Sequence, residues 1–168
     1  MKNHLTDEQA DQLLEALRGH DLEAMITLAL VTGMRRDELL KLQWQDVDLE
    51  KRELRVLHTK TQSSHRMIHL TEGVAEVLRQ HQMRQMDARW EAGTAWQNLD
   101  LVFPDHAGGS LRPEHLLQGF DEILARAEVP RLRFHDLREA CYRTLNARLR
   151  TAREGLDSGQ TGDPDLDS

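Results

Sequence analysis

Two adjacent arginines follow a run of apolar residues in "LALVTGMRRDELL", where Gly33 interrupts a helical pattern just before Arg35 and Arg36. Glu38 lies three residues after Arg35, which places both side chains on one helical face and lets the carboxylate orient the guanidinium. A planar guanidinium with fixed N–H donors matches the oxygens of a phosphate. The stretch therefore predicts an anion site at Arg35, although an ordinary surface pair of Arg and Glu explains the same spacing.

Two other segments carry residue types suited to phosphoryl transfer. His135 and Arg138 lie three apart in "FHDLR"; a histidine exchanges protons near neutral pH, and an arginine holds an anion. Lys60 lies in the polar turn "KTQSS", from which its ammonium can reach outward. Helix capping and packing explain the first segment equally well, and a solvated lysine explains the second.

Local signals predict the helices that must position these residues. Thr6 is expected to cap a helix together with Gln9, and Gly19 to end it. The following segment "DLEAMITLALVTG" is apolar on almost every side, which is typical of a helix buried at the centre of a domain. Thr71 is expected to cap a long helix that reaches about residue 90, and Pro113 to open another that ends near residue 127.

The alternating segments "ELRVLHT" and "HRMIHL" predict an antiparallel strand pair with Lys60 near its tip, and "LVFPD" predicts a short buried strand. The expected fold class is mainly α with a small antiparallel β-sheet. Four aromatic residues are expected to be core or interface anchors: Trp44, Trp90, Trp96 and Phe134.

Composition limits the possible functions. The 168 residues suit one domain and contain neither a membrane-length apolar run nor a signal peptide, so a cytoplasmic protein is expected. The single cysteine, Cys141, is expected to be structural, and neither a metal-ligand cluster nor a glycine-rich phosphate loop is present in the sequence. We therefore expect no cofactor, no metal and no nucleotide hydrolysis.

The charge is unevenly distributed along the chain. The formal net charge is −7, which by itself argues against a nucleic-acid partner. Residues 131–150, however, carry six arginines against two acidic residues, whereas residues 151–168 carry one arginine against five acidic residues. The two blocks cancel in the total and conceal a basic element. Residues 154–168 are poor in hydrophobic residues, so we expect a disordered acidic tail there.

Taken in order, "TGMRRDELLKLQWQDVDL", "TKTQSSHRMIHL" and "FHDLR" resemble the catalytic domain of the tyrosine recombinases, the phage integrase family of site-specific DNA recombinases. The resemblance runs from about Leu5 to Arg138 within a domain expected to span residues 1–153. It implies DNA recombination and integration with double-stranded DNA as the partner and self-association on DNA. It implies no membrane, no small-molecule substrate and no metal or ATP.

The resemblance also implies roles for individual residues. Arg35 and Arg138 would clamp the non-bridging oxygens of a scissile phosphate, with Glu38 in support. Lys60 would protonate the departing oxygen, and His135 would manage the proton of a tyrosine nucleophile. Arg35, Lys60, Arg66, Arg133 and Arg138 are the expected DNA contacts.

The chain departs from the family pattern after "FHDLR". Family members continue to a second His or Trp motif and then to a tyrosine about three dozen residues beyond the arginine. The only tyrosine here, Tyr142, lies four residues after Arg138 and is expected to be structural. We therefore expect a chain interrupted near residue 139, by a shifted reading frame or a natural truncation, and inactive in cleavage.

Two other functions remain open from sequence. One is a catalytically inert DNA-binding or regulatory remnant of an integrase, which predicts salt-dependent, sequence-selective binding. The other is an acidic helical interaction module, which predicts no binding that responds to changes at Arg35 or Arg138. A type IB topoisomerase shares the catalytic logic, but the spacing of the motifs favours a recombinase.

Overall fold

The structure, a computed structural model, describes residues 5–57 and 65–137 together with Thr144 and Ala147. Within these ranges the elements are α1 (Asp7–Leu17), α2 (Glu23–Thr32), α3 (Arg36–Lys41), β1 (Val47–Asp48), β2 (Glu53–Leu57), β3 (His65–His69), α4 (Glu72–Ala92) and α5 (Pro113–Ala127). The predicted fold class, mainly α with a small antiparallel sheet, is confirmed. Lys60, Arg138, Cys141, Tyr142 and the acidic stretch 154–168 lie outside the described residues.

Helix α1 begins at the predicted capping box. The Thr6 hydroxyl accepts the Gln9 N–H at 3.1 Å, and the Gln9 side-chain oxygen accepts the Thr6 N–H at 3.0 Å. Two N–H groups that have no partner within the helix are thereby satisfied. The apolar stripe of α1 then packs against α5.

Helix α2 is buried because it lies between two hydrophobic clusters. Met25 and Leu28 belong to a cluster shared with the sheet and α4, whereas Ile26 and Leu30 belong to a second cluster shared with α1 and α5. All four side chains are almost completely inaccessible to solvent. A helix packed on both sides needs apolar residues around its circumference, so the predicted central position is confirmed.

The sheet is antiparallel in the order β1-β2-β3. The predicted pairing of β2 with β3 is confirmed, with Leu54 opposite Ile68 and Val56 opposite Arg66. Strand β1, only two residues long, is too short to show the alternation by which strands are recognised. The strand predicted at "LVFPD" is wrong: its residues make only isolated bridges, from Leu101 to Gln43 and from Pro104 to Ser110.

The fully buried residues of helix α4 lie in its first two turns. The Thr71 hydroxyl accepts the Val74 N–H at 3.3 Å, as predicted, and the first two turns bury Val74, Ala75 and Leu78. Beyond them Trp90 is 88% exposed, so it is not a core anchor within this chain, and its alternative role as an interface anchor stays a prediction. None of the helices in the described ranges is long and apolar enough to cross a membrane.

His81 joins α4 to the segment that follows it. Its ring lies against those of Trp44 and Phe103, and its Nε2–H donates to the Val102 carbonyl at 2.6 Å. Burial lowers the pKa of His81 below its ordinary value of 6.5, because the protonated, charged ring loses hydration when it is buried. A nearby guanidinium, that of Arg84, acts in the same direction.

We expect Gly33→Ala to lower the free energy of unfolding by about 1–2 kcal/mol, because Gly33 is left-handed (φ 68°) at the end of α2. Chemical denaturation measures the loss. The matched variant is Gly33→Asn, since asparagine tolerates this conformation better and should lose less. Equal losses in the two variants would show that backbone conformation is not the cause.

We expect the wild type to lose stability relative to His81→Gln as the pH falls from 7.5 to 5. With its pKa lowered on folding, His81 binds fewer protons in the folded than in the unfolded state, so acid favours unfolding. The contribution is fully present above pH 6.5 and is lost as the pH falls through the folded-state pKa. Denaturation across this range measures it, and a constant difference between the two proteins would contradict it.

Candidate phosphate-binding site

The chain between α2 and α3 brings Arg35 from the core to the surface. After the left-handed Gly33, the buried Met34 donates its N–H to the Thr32 hydroxyl at 3.2 Å, and that hydroxyl donates to the Leu28 carbonyl at 2.6 Å. Arg35 then adopts an extended conformation, φ −75° and ψ 155°, at the position that precedes α3. Its guanidinium is consequently carried on a fixed backbone at the end of a buried helix.

Glu38 contacts the main chain of Arg35. The Glu38 Oε2 accepts the Arg35 N–H at 3.0 Å and lies 3.8 Å from Nη2 of Arg66 on β3. The sequence instead predicted that Glu38 orients the Arg35 guanidinium. Its carboxylate fixes the backbone that carries the guanidinium, and it does so from a side chain that is only 12% exposed.

A pocket of about 360 Å³ brings the first and third motifs together. Its walls come from the end of α2, the turn that follows it and the segment around residue 135: Ala29, Leu30, Gly33, Met34, Arg35, Arg36, Asp37, Phe134 and Leu137. Arg35 and Leu137 are about a hundred residues apart in sequence, so their meeting is a property of the fold.

Phe134 anchors the wall of this pocket. Its ring meets that of Phe120 edge-on, with the centroids 5.7 Å apart, and packs against both hydrophobic clusters. Leu137 is 1% exposed. The predicted anchoring role of Phe134 is confirmed, and it fixes the 3-10 turn Phe134–Asp136, which carries the backbone of His135.

The charges around the pocket favour an anion. Arg36 lies 3.6 Å from Asp37 in an exposed pair, which contributes little because solvent screens it. Arg35, which lines the pocket, is exposed, and no acceptor among the described residues engages its guanidinium. Its N–H donors are therefore available to an incoming ligand.

Several predicted site residues stay untested. Lys60 and Arg138 lie outside the described residues, as does the His135 side chain. In the sequence, Lys60 falls between β2 and β3, whose terminal residues Leu57 and His65 are paired. Arg138 directly follows Leu137, which lines the pocket.

Sequence reasoning missed the ion pair between Glu38 and Arg66. The available signal was the register, since residues directly opposite in an antiparallel pair share a face of the sheet. Val56 is buried, so its partner Arg66 lies on the core side. Loop length alone does not reveal this register.

Among the described residues, no three His, Cys, Asp or Glu side chains come together as metal ligands.

Sequence comparison identifies relatives of the whole region. The profile of the Phage integrase family matches residues 3–152, continuing past residue 138, where the resemblance read from the motifs stops. A XerC-like tyrosine recombinase from Caldanaerobacter subterraneus subsp. tengcongensis is 33% identical over 158 residues, covering 79% of this chain. The match covers 40% of that relative, so the chain spans about two fifths of its length.

Solved structures share the fold. XerA recombinase superimposes with a TM-score of 0.69 at 20% identity, covering 98% of this chain and 62% of that one. XerH site-specific recombinase, bound to a palindromic difH substrate in a post-cleavage complex, gives a TM-score of 0.65 at 23% identity, covering 89% and 43%. With its sequence matched from residue 3 to residue 152, the chain belongs to the phage integrase family.

Proposed function

We propose that this chain forms the phosphate-binding part of a site-specific DNA recombinase, and that the pocket beside Arg35 receives the scissile phosphate of duplex DNA. The observation that carries the proposal is the shared pocket of Arg35 and the segment Phe134–Leu137. The planar N–H donors of a guanidinium suit a ligand that presents several oxygens. The phosphates of the DNA backbone, on which members of this family act, are ligands of this kind.

The chemistry follows from where negative charge accumulates. Attack on a phosphodiester builds charge on the non-bridging oxygens, which donors fixed in advance stabilise best. Arg35 supplies one such donor group, and Arg138, which follows Leu137 in the sequence, supplies the second. Lys60 gives a proton to the departing oxygen and His135 handles that of the nucleophile.

The partner is double-stranded DNA. The DNA-bound XerH neighbour supports this choice, and so does the local excess of arginine in residues 131–150. Binding driven by such arginines releases counterions from DNA and depends steeply on salt. The net charge of −7 does not prevent binding, because local potential at the contact matters more than the total.

The chain as given binds DNA without cutting it. Its single tyrosine, Tyr142, lies four residues after Arg138 in the sequence, whereas the family nucleophile lies much farther along. Strand exchange through a phosphotyrosyl link at the family spacing would therefore need a tyrosine other than Tyr142. The chain retains Arg35, which lines the pocket proposed to bind a phosphate.

We expect Arg35→Ala to weaken binding to duplex DNA at least tenfold, because one bidentate phosphate contact is lost. The slope of log affinity against log salt should fall by about one unit. Fluorescence anisotropy over a salt series measures both quantities.

Arg89→Ala is the matched control. Arg89 is also exposed, but it lines a separate pocket with Trp44 and Trp96 that shares no residue with the pocket of Arg35. It should leave the affinity and the slope close to those of the wild type. An Arg35→Ala protein that binds like Arg89→Ala would overturn the assignment of the pocket.

We expect no covalent protein–DNA product from this chain on a pool of nicked duplexes with randomised sequence. Denaturing gels after incubation measure it, because a 3′-phosphotyrosyl link survives denaturation. Tyr142→Phe should look identical to the wild type. A covalent band that appears in the wild type and disappears in Tyr142→Phe would instead assign the nucleophile to Tyr142.

A further inference from the structure

Glu38 connects two parts of the molecule that are distant in sequence. One oxygen, Oε2, accepts the backbone N–H of Arg35 at 3.0 Å and also lies 3.8 Å from the guanidinium of Arg66. Arg35 precedes α3, whereas Arg66 is the second residue of β3. The carboxylate therefore bridges the turn after α2 and the β2–β3 hairpin.

The strand register explains how Arg66 reaches this carboxylate. Arg66 is paired with the buried Val56 and so projects from the core face of the sheet. Arg55, one residue before Val56, is exposed and pairs with Met67 on the opposite face. Two arginines of the same hairpin thus differ in one respect: only Arg66 faces Glu38.

We propose that Arg66 is a positioning residue for the phosphate site, acting through Glu38 on the backbone of Arg35. The pair ties strand β3 to the turn that carries Arg35, so the backbone of Arg35 keeps one placement relative to the sheet. The consequence for DNA rests on the proposed function, whereas the link itself is testable in the free protein.

Electrostatics supports an indirect role. Glu38 is only 12% exposed, and a poorly solvated carboxylate beside an anion pocket repels a phosphate more strongly than an exposed one would. A neighbouring cation offsets that charge. The Arg66 side chain is 42% exposed, and its Nη2 lies 3.8 Å from the Glu38 Oε2, a distance that suits charge neutralisation without a hydrogen bond.

The test follows the Arg35 amide by NMR, as its rate of exchange with water. Arg66→Gln should raise this rate about fivefold, because the Glu38 carboxylate loses the cation that holds it against the amide. Arg55→Gln, the matched control on the other face, should not change it. In a Glu38→Gln background, where the charge is already absent, Arg66→Gln should add no further increase.

Arg66→Lys separates charge from folding defects. It keeps the cation and should stay near the wild-type rate, so the test remains decisive if Arg66→Gln unfolds. An Arg66→Gln rate equal to that of Arg55→Gln would overturn the proposal. An equal increase with and without the Glu38 charge would do so too.

The same variants give a second readout on duplex DNA. Arg66→Gln should weaken binding several-fold without changing the salt slope, and should lower the further cost of Arg35→Ala. A slope reduced by about one unit, with costs that add, would make Arg66 a direct phosphate contact and overturn the positioning role. If Arg35→Ala leaves DNA binding unchanged, the proposed function fails, while the exchange rates still decide whether the link exists.

Discussion

The burial of α2 on both sides is the constraint on which the rest of the structure depends. One face of this helix packs on the sheet and α4, and the other packs on α1 and α5. Such a helix cannot present a charged side chain along its length without burying the charge. A charged binding or catalytic side chain must therefore lie beyond the end of the helix. The left-handed Gly33 ends α2 abruptly, and Arg35 lies at the surface two residues later.

The Arg35 guanidinium gains its placement from main-chain contacts. The preceding residues are held by the Thr32 hydroxyl, and its own N–H is held by Glu38. A guanidinium on a flexible stem loses conformational entropy when it binds an anion. Fixing the backbone beneath it reduces the conformational entropy that the side chain and main chain must still lose when an anion binds.

Local signals predicted much of this fold. The caps at Thr6 and Thr71, the stop at Gly33 and the start at Pro113 were readable because each satisfies or restricts the backbone within a few residues. The contact of Arg66 with Glu38 was not, since it depends on a register set across an intervening loop. Strand β1 was missed and the strand at "LVFPD" was wrongly predicted for a similar reason. Whether such a short extended segment becomes a strand depends on the partner with which it pairs.

Phe134 touches both hydrophobic clusters and also forms a wall of the pocket. The two clusters have no fully buried residue in common, and Phe134 is one of the partly buried residues, with Leu22 and Val31, that pack against both. Because Phe134 begins the turn that carries His135, a shift of either cluster would also move this wall of the pocket. A ligand bound in the pocket would raise the free energy of unfolding, and the contacts of Phe134 would extend that stabilisation to both hydrophobic clusters.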